Sequence, residues 1–112
     1  RLWQICMNLL TNAVKHTKKG SIWFGYTLED EGKMVKFYVS DSGCGIPNDE
    51  LDYIFARFVQ LSDFEQGIGL GLAICKGLVL KMGGNISVMS EEGFGSTFIF
   101  TLPMKRPNSW KN

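Results

Sequence analysis

The first part of the chain alternates apolar and polar positions with the period of an α-helix. Its apolar residues follow the i, i+3, i+4, i+7 spacing, at Leu2, Ile5, Cys6, Leu9, Leu10 and Ala13. A second stripe of the same helix is polar and comprises Gln4, Asn8, Asn12 and Lys15. Two lysines and Gly20 then supply the cations and the glycine that favour a helix C-terminus. This pattern predicts an amphipathic helix from Leu2 to Ala13 that carries two asparagines on its polar stripe.

After Gly20 the period of the pattern changes to two. We expect two β-strands, from Ser21 to Leu28 and from Met34 to Ser40, and in the second of them Val35, Phe37 and Val39 give the period-two alternation that is typical of a strand. The polar turn Glu29 to Gly32 joins the two segments, so we expect a hairpin.

Further elements follow in mixed order. Pro47 is suited to the first turn of a short helix that runs to about Phe58. The pattern predicts a third helix from Leu72 to Met82, then a strand around Ile86 and Val88 and another from Thr97 to Leu102. There is no regular βαβ alternation. We therefore expect a two-layer α/β (α+β) sandwich, with about three helices on one face of a mixed β-sheet.

The length of 112 residues fits one domain, which we place at residues 1–103, with residues 104–112 as a disordered tail. Twelve Lys plus Arg against eleven Asp plus Glu leave a net charge of +1, which weighs against nucleic-acid binding and membrane contact. The longest stretch without charge, Gly93 to Met104, is too short to span a bilayer. The three cysteines show no disulfide or zinc spacing, so a reducing, cytoplasmic location is the default.

Asn8 and Asn12 form the first candidate for chemistry. They lie four residues apart on one helix face, although asparagine is a poor helix former. Their amide oxygens are suited to Mg²⁺, which takes few protein ligands and completes its shell with phosphates and water. Lys15, one turn on from Asn12, could meet a phosphate. The alternative interpretation is a solvated polar face with an ordinary surface lysine.

Asp41 forms the second candidate, because it ends an apolar strand and is followed by Gly43 and Gly45. The glycines let the backbone approach a flat ligand while the carboxylate points into the pocket. A carboxylate accepts a hydrogen bond from the exocyclic amine of adenine, whereas guanine presents a carbonyl oxygen there. The alternative is a turn aspartate that caps its own backbone.

Gly67, Gly69 and Gly71 form the third candidate. They alternate ahead of a predicted helix, so backbone N–H groups and the helix dipole can face an anion such as a phosphate. The alternative is a flexible hinge. The glycines at 93 and 95 are interpreted as hairpin residues.

The order of these patterns carries a resemblance that none of them carries alone. The chain reads N-x-x-x-N-A-x-K at 8–15, D-x-G-x-G at 41–45, F-x-x-F at 55–58, G-x-G-x-G at 67–71 and G-x-G-S-T-F at 93–98. This order resembles the catalytic and ATP-binding domain of sensor histidine kinases, in the superfamily shared with gyrase-type and chaperone ATPases. The resemblance implies the Bergerat ATP-binding fold, with ATP and Mg²⁺ held between helices and a mobile lid.

The resemblance also implies roles for individual positions. Asn12, with Asn8, is implied as the Mg²⁺ ligand, and Asp41 as the acceptor for the adenine amine. Catalytic roles fall on Asn8, Lys15 and Arg57. The implied nucleotide contacts are Asn8, Asn12, Lys15, His16, Asp41, Gly43, Gly45, Ile46, Phe58, Gly67, Gly69, Leu70, Gly71 and Thr97.

One position favours the kinase branch of the superfamily. The ATPase relatives carry a glutamate where this chain has Asn8, and an amide cannot take the proton of an attacking water. The resemblance thus implies transfer of the γ-phosphoryl group of ATP to a histidine, in a phosphorelay that leads to the receiver domain of a response regulator. The acceptor histidine would belong to a dimerisation domain outside this chain, so the chain alone should not autophosphorylate. Whether the parent protein is anchored in the inner membrane stays open.

The alternative function is a non-catalytic ATP-binding module that acts by interaction. The predicted lid at 61–66 contains Asp63 and Glu65 but neither lysine nor arginine, which weakens the expected grip on a triphosphate.

Overall fold

Two α-helices and four β-strands make up the described part of the chain. The computed structural model describes residues 2–51, 53–55 and 68–104, and for residues 68–71 the backbone alone. Helix α1 spans Leu2–His16 and α2 spans Ile68–Lys81. The strands are β1 (Ile22–Glu29), β2 (Met34–Asp41), β3 (Asn85–Glu91) and β4 (Gly95–Pro103), and short 3₁₀ turns lie at Asp30–Gly32 and Asn48–Glu50.

The four strands form one sheet in the order β1-β2-β4-β3, and all three pairings are antiparallel. The expected two-layer sandwich is confirmed, and among the described residues the sheet is antiparallel rather than mixed. Strands β2 and β3 do run in the same direction, as a crossover through α2 requires. Strand β4 lies between them, however, so this parallel relation never becomes a hydrogen-bonded pair.

The core lies between the sheet and the two helices. Alternate residues of β2 and β4 face the helices, including Val39, Phe98 and Phe100, all of which are buried. Ile5 and Leu9 of α1 meet them, as the amphipathic pattern predicts. The ring of Phe37 stacks on Phe100 with 4.9 Å between the ring centroids. This packing fixes α1 over the sheet and so determines where its polar stripe lies.

The largest differences from the predicted elements concern α2 and the segment after Pro47. Helix α2 begins at Ile68 rather than Leu72, so Gly69 and Gly71 lie inside its first turns rather than in a preceding loop. The cost of about 1 kcal/mol for a helical glycine does not end the helix, because the residues that follow pack on the core. After Pro47 a 3₁₀ turn occupies Asn48–Glu50, where an α-helix to Phe58 was expected. The predicted lid and the tail after Met104 lie outside the described residues.

Candidate functional site

Asn12 is the most informative residue of the α1 polar stripe, because it is buried, with 6% of its surface exposed. Its Oδ1 atom is buried and has no hydrogen-bond partner among the described residues. A buried acceptor without a partner costs about 1–3 kcal/mol, so it calls for an explanation. The interpretation as a solvated polar face does not fit Asn12, and the bare amide oxygen suits a cation or a donor from a ligand.

Asn8 lies one turn earlier on α1 and is half-buried. Its side chain hydrogen-bonds the thiol of Cys75 on α2, and that thiol also donates to the carbonyl oxygen of Ile5 at 3.8 Å. Burial raises the pKa of Cys75 from 9.0 to about 11, the hydrogen bond with Asn8 lowers it, and the neighbouring Cys6 thiol raises it further. Cys75 therefore stays protonated at neutral pH and acts as a hydrogen-bond partner that joins α2 to α1 beside Asn8.

Asp41 ends β2 and is 5% exposed. Its Oδ1 atom accepts a hydrogen bond from the Gly43 backbone N–H at 2.9 Å. The residue thus caps its own turn, as the alternative interpretation expected. A carboxylate has about four acceptor positions, so this one bond leaves capacity for a ligand.

The loop after Asp41 lies against the C-terminal end of α1. The Cys44 N–H donates to the carbonyl oxygen of His16 at 3.2 Å. A Cβ atom at Gly43 would collide with that same carbonyl group, so only glycine allows this approach. This contact brings Asp41 to the end of the helix that carries Asn12 and His16.

The same loop is also joined to the β3–β4 hairpin. Gly45 adopts φ 74°, and a Cβ atom there would collide with the carbonyl oxygen of Glu91. The Gly93 N–H donates to the carbonyl oxygen of Cys44 at 2.7 Å. The segment is therefore held between α1 and the hairpin, with Ile46 buried behind it.

Two serines of the hairpin lie in the row of Asp41, and the sequence patterns did not single them out. Ser96 is the register partner of Asp41 across β2 and β4, and Ser90 is the partner of Ser96 across β3 and β4. Ser96 is 7% exposed. The available signal was the period of two in β4, which places Ser96 on the same face as Phe98.

Thr97, the predicted nucleotide contact in this strand, projects from the opposite face. Its hydroxyl hydrogen-bonds that of Ser40 at 2.8 Å, and both residues border a cavity of about 390 Å³ beside the hairpin. The structure thus brings Ser96, rather than Thr97, onto the face that Asp41 shares with the helices.

The remaining predicted positions lie at the end of α1, at the start of α2 and outside the described residues. Lys15 is exposed at the end of α1. Gly69, Leu70 and Gly71 lie in the first turns of α2, where the leading N–H groups have no acceptor within the helix. Arg57, Phe58 and Gly67 lie outside the described residues. Phe55, the first phenylalanine of F-x-x-F, packs edge-on against Phe98 at 6.1 Å between ring centroids.

Comparison with known proteins assigns the family. The family model described as "Histidine kinase-, DNA gyrase B-, and HSP90-like ATPase" matches residues 1–106. The chain belongs to this family. The resemblance carried by the five sequence patterns is thereby confirmed.

Similar curated proteins are sensor kinases. The aerobic respiration control sensor protein ArcB of Escherichia coli K12 is 49% identical over 107 residues, which cover 91% of this chain and 14% of that protein. The adaptive-response sensory kinase SasA of Synechococcus elongatus is 43% identical over 108 residues, which cover 95% of this chain and 28% of that protein. The chain therefore spans less than a third of either relative.

Solved histidine kinase structures have the same fold. Full-length ShkA in complex with AMPPNP matches with a TM-score of 0.80 and 41% identity over 91% of this chain and 21% of that chain. The mycobacterial sensor histidine kinase MprB also matches with a TM-score of 0.80, at 31% identity over 91% of this chain and 71% of that chain. In the described part of this chain, neither helix has the length and hydropathy needed to cross a membrane.

Proposed function

We propose that this chain is the ATP-binding catalytic domain of a two-component sensor histidine kinase that works in the cytoplasm. The observation that carries the proposal is a pair of buried polar side chains that one loop connects. Asn12, whose Oδ1 has no partner among the described residues, lies one helical turn before His16, and the loop that follows Asp41 donates from the Cys44 N–H to the His16 carbonyl oxygen.

Adenine recognition rests on Asp41. Its carboxylate accepts a hydrogen bond from the exocyclic amine, while Gly43 and Gly45 keep the loop backbone close to α1 and the hairpin. Guanine would place a carbonyl oxygen against the carboxylate. This replacement would lose a charged hydrogen bond, worth about 1.5–3 kcal/mol, and would add repulsion between the two oxygens. Ile46, which is buried in the core directly after this loop, would give the base an apolar contact.

The residues at the end of α1 fit a Mg²⁺ ion. Asn12 offers a hard amide oxygen that is already desolvated and has no partner among the described residues. Asn8 stands one turn away and is kept in place by Cys75. When bound, Mg²⁺ neutralises charge on the nucleotide phosphates. Lys15 and His16 lie in the last turn of the same helix, and a cation there would suit the phosphates.

The reaction that suits these groups is phosphoryl transfer to a histidine. A neutral imidazole nitrogen attacks the γ-phosphorus, an N–P bond forms, the bond to the β,γ-bridging oxygen breaks, and ADP leaves. An imidazole nitrogen carries its own lone pair, so the domain needs no base for a water molecule, consistent with an amide at Asn8. Positive charge from Lys15, and from Arg57 outside the described residues, would stabilise the charge on the transferred group.

The partners that follow are the dimerisation and histidine phosphotransfer domain of the parent protein and the receiver domain of a response regulator. The second candidate function is a non-catalytic ATP-binding module, which the acidic sequence of residues 61–66 favours.

Transfer of labelled phosphate distinguishes the kinase domain from the non-catalytic module. The chain is incubated with Mg²⁺ and γ-labelled ATP, with and without the dimerisation domain of its parent. We expect acid-labile, base-stable phosphate on the acceptor histidine only, no label on the chain alone, and no transfer by Asn12→Ala. Nucleotide binding without transfer would support the module instead. Label on His16 would contradict the assignment of an external acceptor.

A further inference from the structure

Ser90 of β3 has more hydrogen-bond partners than any other hydroxyl in the described part of the chain. The Ile46 backbone N–H donates to its Oγ at 2.8 Å, and its Oγ donates to the carbonyl oxygen of Gly95 at 2.9 Å. The hydroxyl of Ser96 lies 2.8 Å away. These contacts join the end of the D-x-G-x-G loop to both strands of the hairpin.

We propose that Ser90 is a positioning residue for base selection: its hydroxyl fixes the Ser96 hydroxyl as an acceptor beside Asp41. The inference rests on the proposed function, since it concerns the same nucleotide site. Ser90 itself is not expected to contact the nucleotide.

The positions of the protons follow from the partners. A hydroxyl has one proton and two lone pairs. The Gly95 carbonyl can only accept, so the short contact with it takes the single proton of Ser90. The Ile46 N–H occupies one lone pair of Ser90, and the second is then left to receive the Ser96 proton. Ser96 therefore donates to Ser90, and its own lone pairs remain available.

This arrangement has a consequence for the ligand. Asp41 and Ser96 are register partners on the helix-facing side of the sheet, and both are nearly buried. With the Ser96 proton engaged, both side chains present acceptors only. An amine, or a water molecule that bridges to one, satisfies two acceptors, whereas the carbonyl oxygen of guanine satisfies neither. Without Ser90, the Ser96 hydroxyl could rotate, donate to a carbonyl, and so tolerate guanine.

The experiment measures affinity for Mg²⁺-ADP and Mg²⁺-GDP by calorimetry in the wild type, Ser90→Ala, Ser96→Ala and the double variant. We expect Ser90→Ala to reduce the preference for ADP over GDP by about three- to tenfold, as the loss of one oriented hydrogen bond would do. Ser96→Ala should reduce it by a similar factor, and Ser90→Ala should add nothing further in the Ser96→Ala background.

The ratio of ADP affinity to GDP affinity distinguishes a positioning role of Ser90 from a merely structural one. A loosened hairpin would weaken ADP and GDP alike and leave their ratio unchanged. Ser87→Ala is the matched control, because Ser87 is on the same strand but exposed on the opposite face. If Ser90→Ala does not fold, Ser96→Ala still tests the inference, because an unchanged ratio of ADP to GDP affinity in that variant would overturn it.

Two failures can be distinguished. A wild-type chain that does not bind ADP would overturn the proposed function and this inference with it. A wild type that prefers ADP, with the same preference in Ser90→Ala or Ser96→Ala, would overturn the inference alone.

Discussion

Gly45 shows how a single residue sets the position of the D-x-G-x-G loop. Its φ of 74° is disfavoured for any residue with a side chain, and a Cβ atom would also strike the Glu91 carbonyl. We expect Gly45→Ala to lower the free energy of unfolding by about 2–5 kcal/mol, through both backbone strain and overpacking. Gly93 is the matched control, with φ 88° and no neighbouring atom within 4 Å of the place that a Cβ atom would take. Gly93→Ala should cost only the strain, about 1–2 kcal/mol, in urea denaturation.

Equal losses in the free energy of unfolding for Gly45→Ala and Gly93→Ala would show that the close approach of the loop to the hairpin does not affect stability.

Asn12 leads to a prediction of the opposite sign. Its buried Oδ1 destabilises the empty protein, so Asn12→Leu should raise the free energy of unfolding without ligand by about 1 kcal/mol. The same change should remove the dependence of ADP binding on Mg²⁺. Thermal unfolding with and without Mg²⁺-ADP measures both effects. Thr11→Leu is the control at the exposed neighbouring position and should change neither.

A less stable empty protein with Mg²⁺-dependent binding retained would show that Asn12 has a structural role only.

Some residues of the candidate site could be predicted from the sequence alone, and others could not. Asp41, Gly43 and Gly45 could be predicted because they are adjacent, and their local geometry follows from a strand end and two glycines. Ser96 could not be separated from Thr97, because both lie in one strand and only the register with β2 decides which of them faces Asp41. That register depends on pairing between distant segments.

The Cys75 thiol, which joins helix α2 to α1, makes the stability of this helix pair depend on pH. Burial raises the pKa of Cys75 in the folded protein to about 11 from 9.0, so the unfolded chain loses this proton first as the pH rises. The stability that Cys75 contributes is complete below about pH 9 and is lost as the pH rises toward 11. The loss should approach about 2–3 kcal/mol.

The measurement compares urea denaturation of the wild type and Cys75→Ser from pH 7 to 11. Serine does not titrate in this range, so the stability of the wild type should fall relative to that of the variant above pH 9. Cys44→Ser, which changes an exposed thiol, should follow the wild type. A constant difference between wild type and Cys75→Ser across this range would show that the thiol is not buried as described.

Among the elements, α1 and the β1–β2 hairpin could be predicted from local pattern, because a continuous amphipathic stripe and a polar turn are sequence-local signals. The start of α2 could not, because Gly69 and Gly71 favour a loop locally while the apolar residues after them stabilise a helix through packing. The strand order was also beyond local pattern. Whether β4 or β3 pairs with β2 depends on the crossover through α2, which leaves no periodic signal.

At the scale of the whole molecule, the site is assembled from three segments that are distant in sequence. Asn12 comes from α1, Asp41 from the end of β2 and Ser96 from the start of β4, and hydrogen bonds of the D-x-G-x-G loop join all three regions. The order of the sequence patterns was enough to predict the family. It could not predict that the loop contacts both α1 and the hairpin, since this depends on the collisions that Gly43 and Gly45 avoid.

Calorimetry with Asp41→Asn decides whether this loop and the end of α1 form an adenine-nucleotide site, as proposed. Asparagine keeps the Oδ1 that accepts from Gly43 but replaces the carboxylate with an amide that can also donate. We expect the wild type to prefer Mg²⁺-ADP to Mg²⁺-GDP by at least about tenfold, and Asp41→Asn to fold normally but lose this preference. Equal affinity of the wild type for the two nucleotides, or an undiminished preference in Asp41→Asn, would overturn the assignment of Asp41 to the adenine amine.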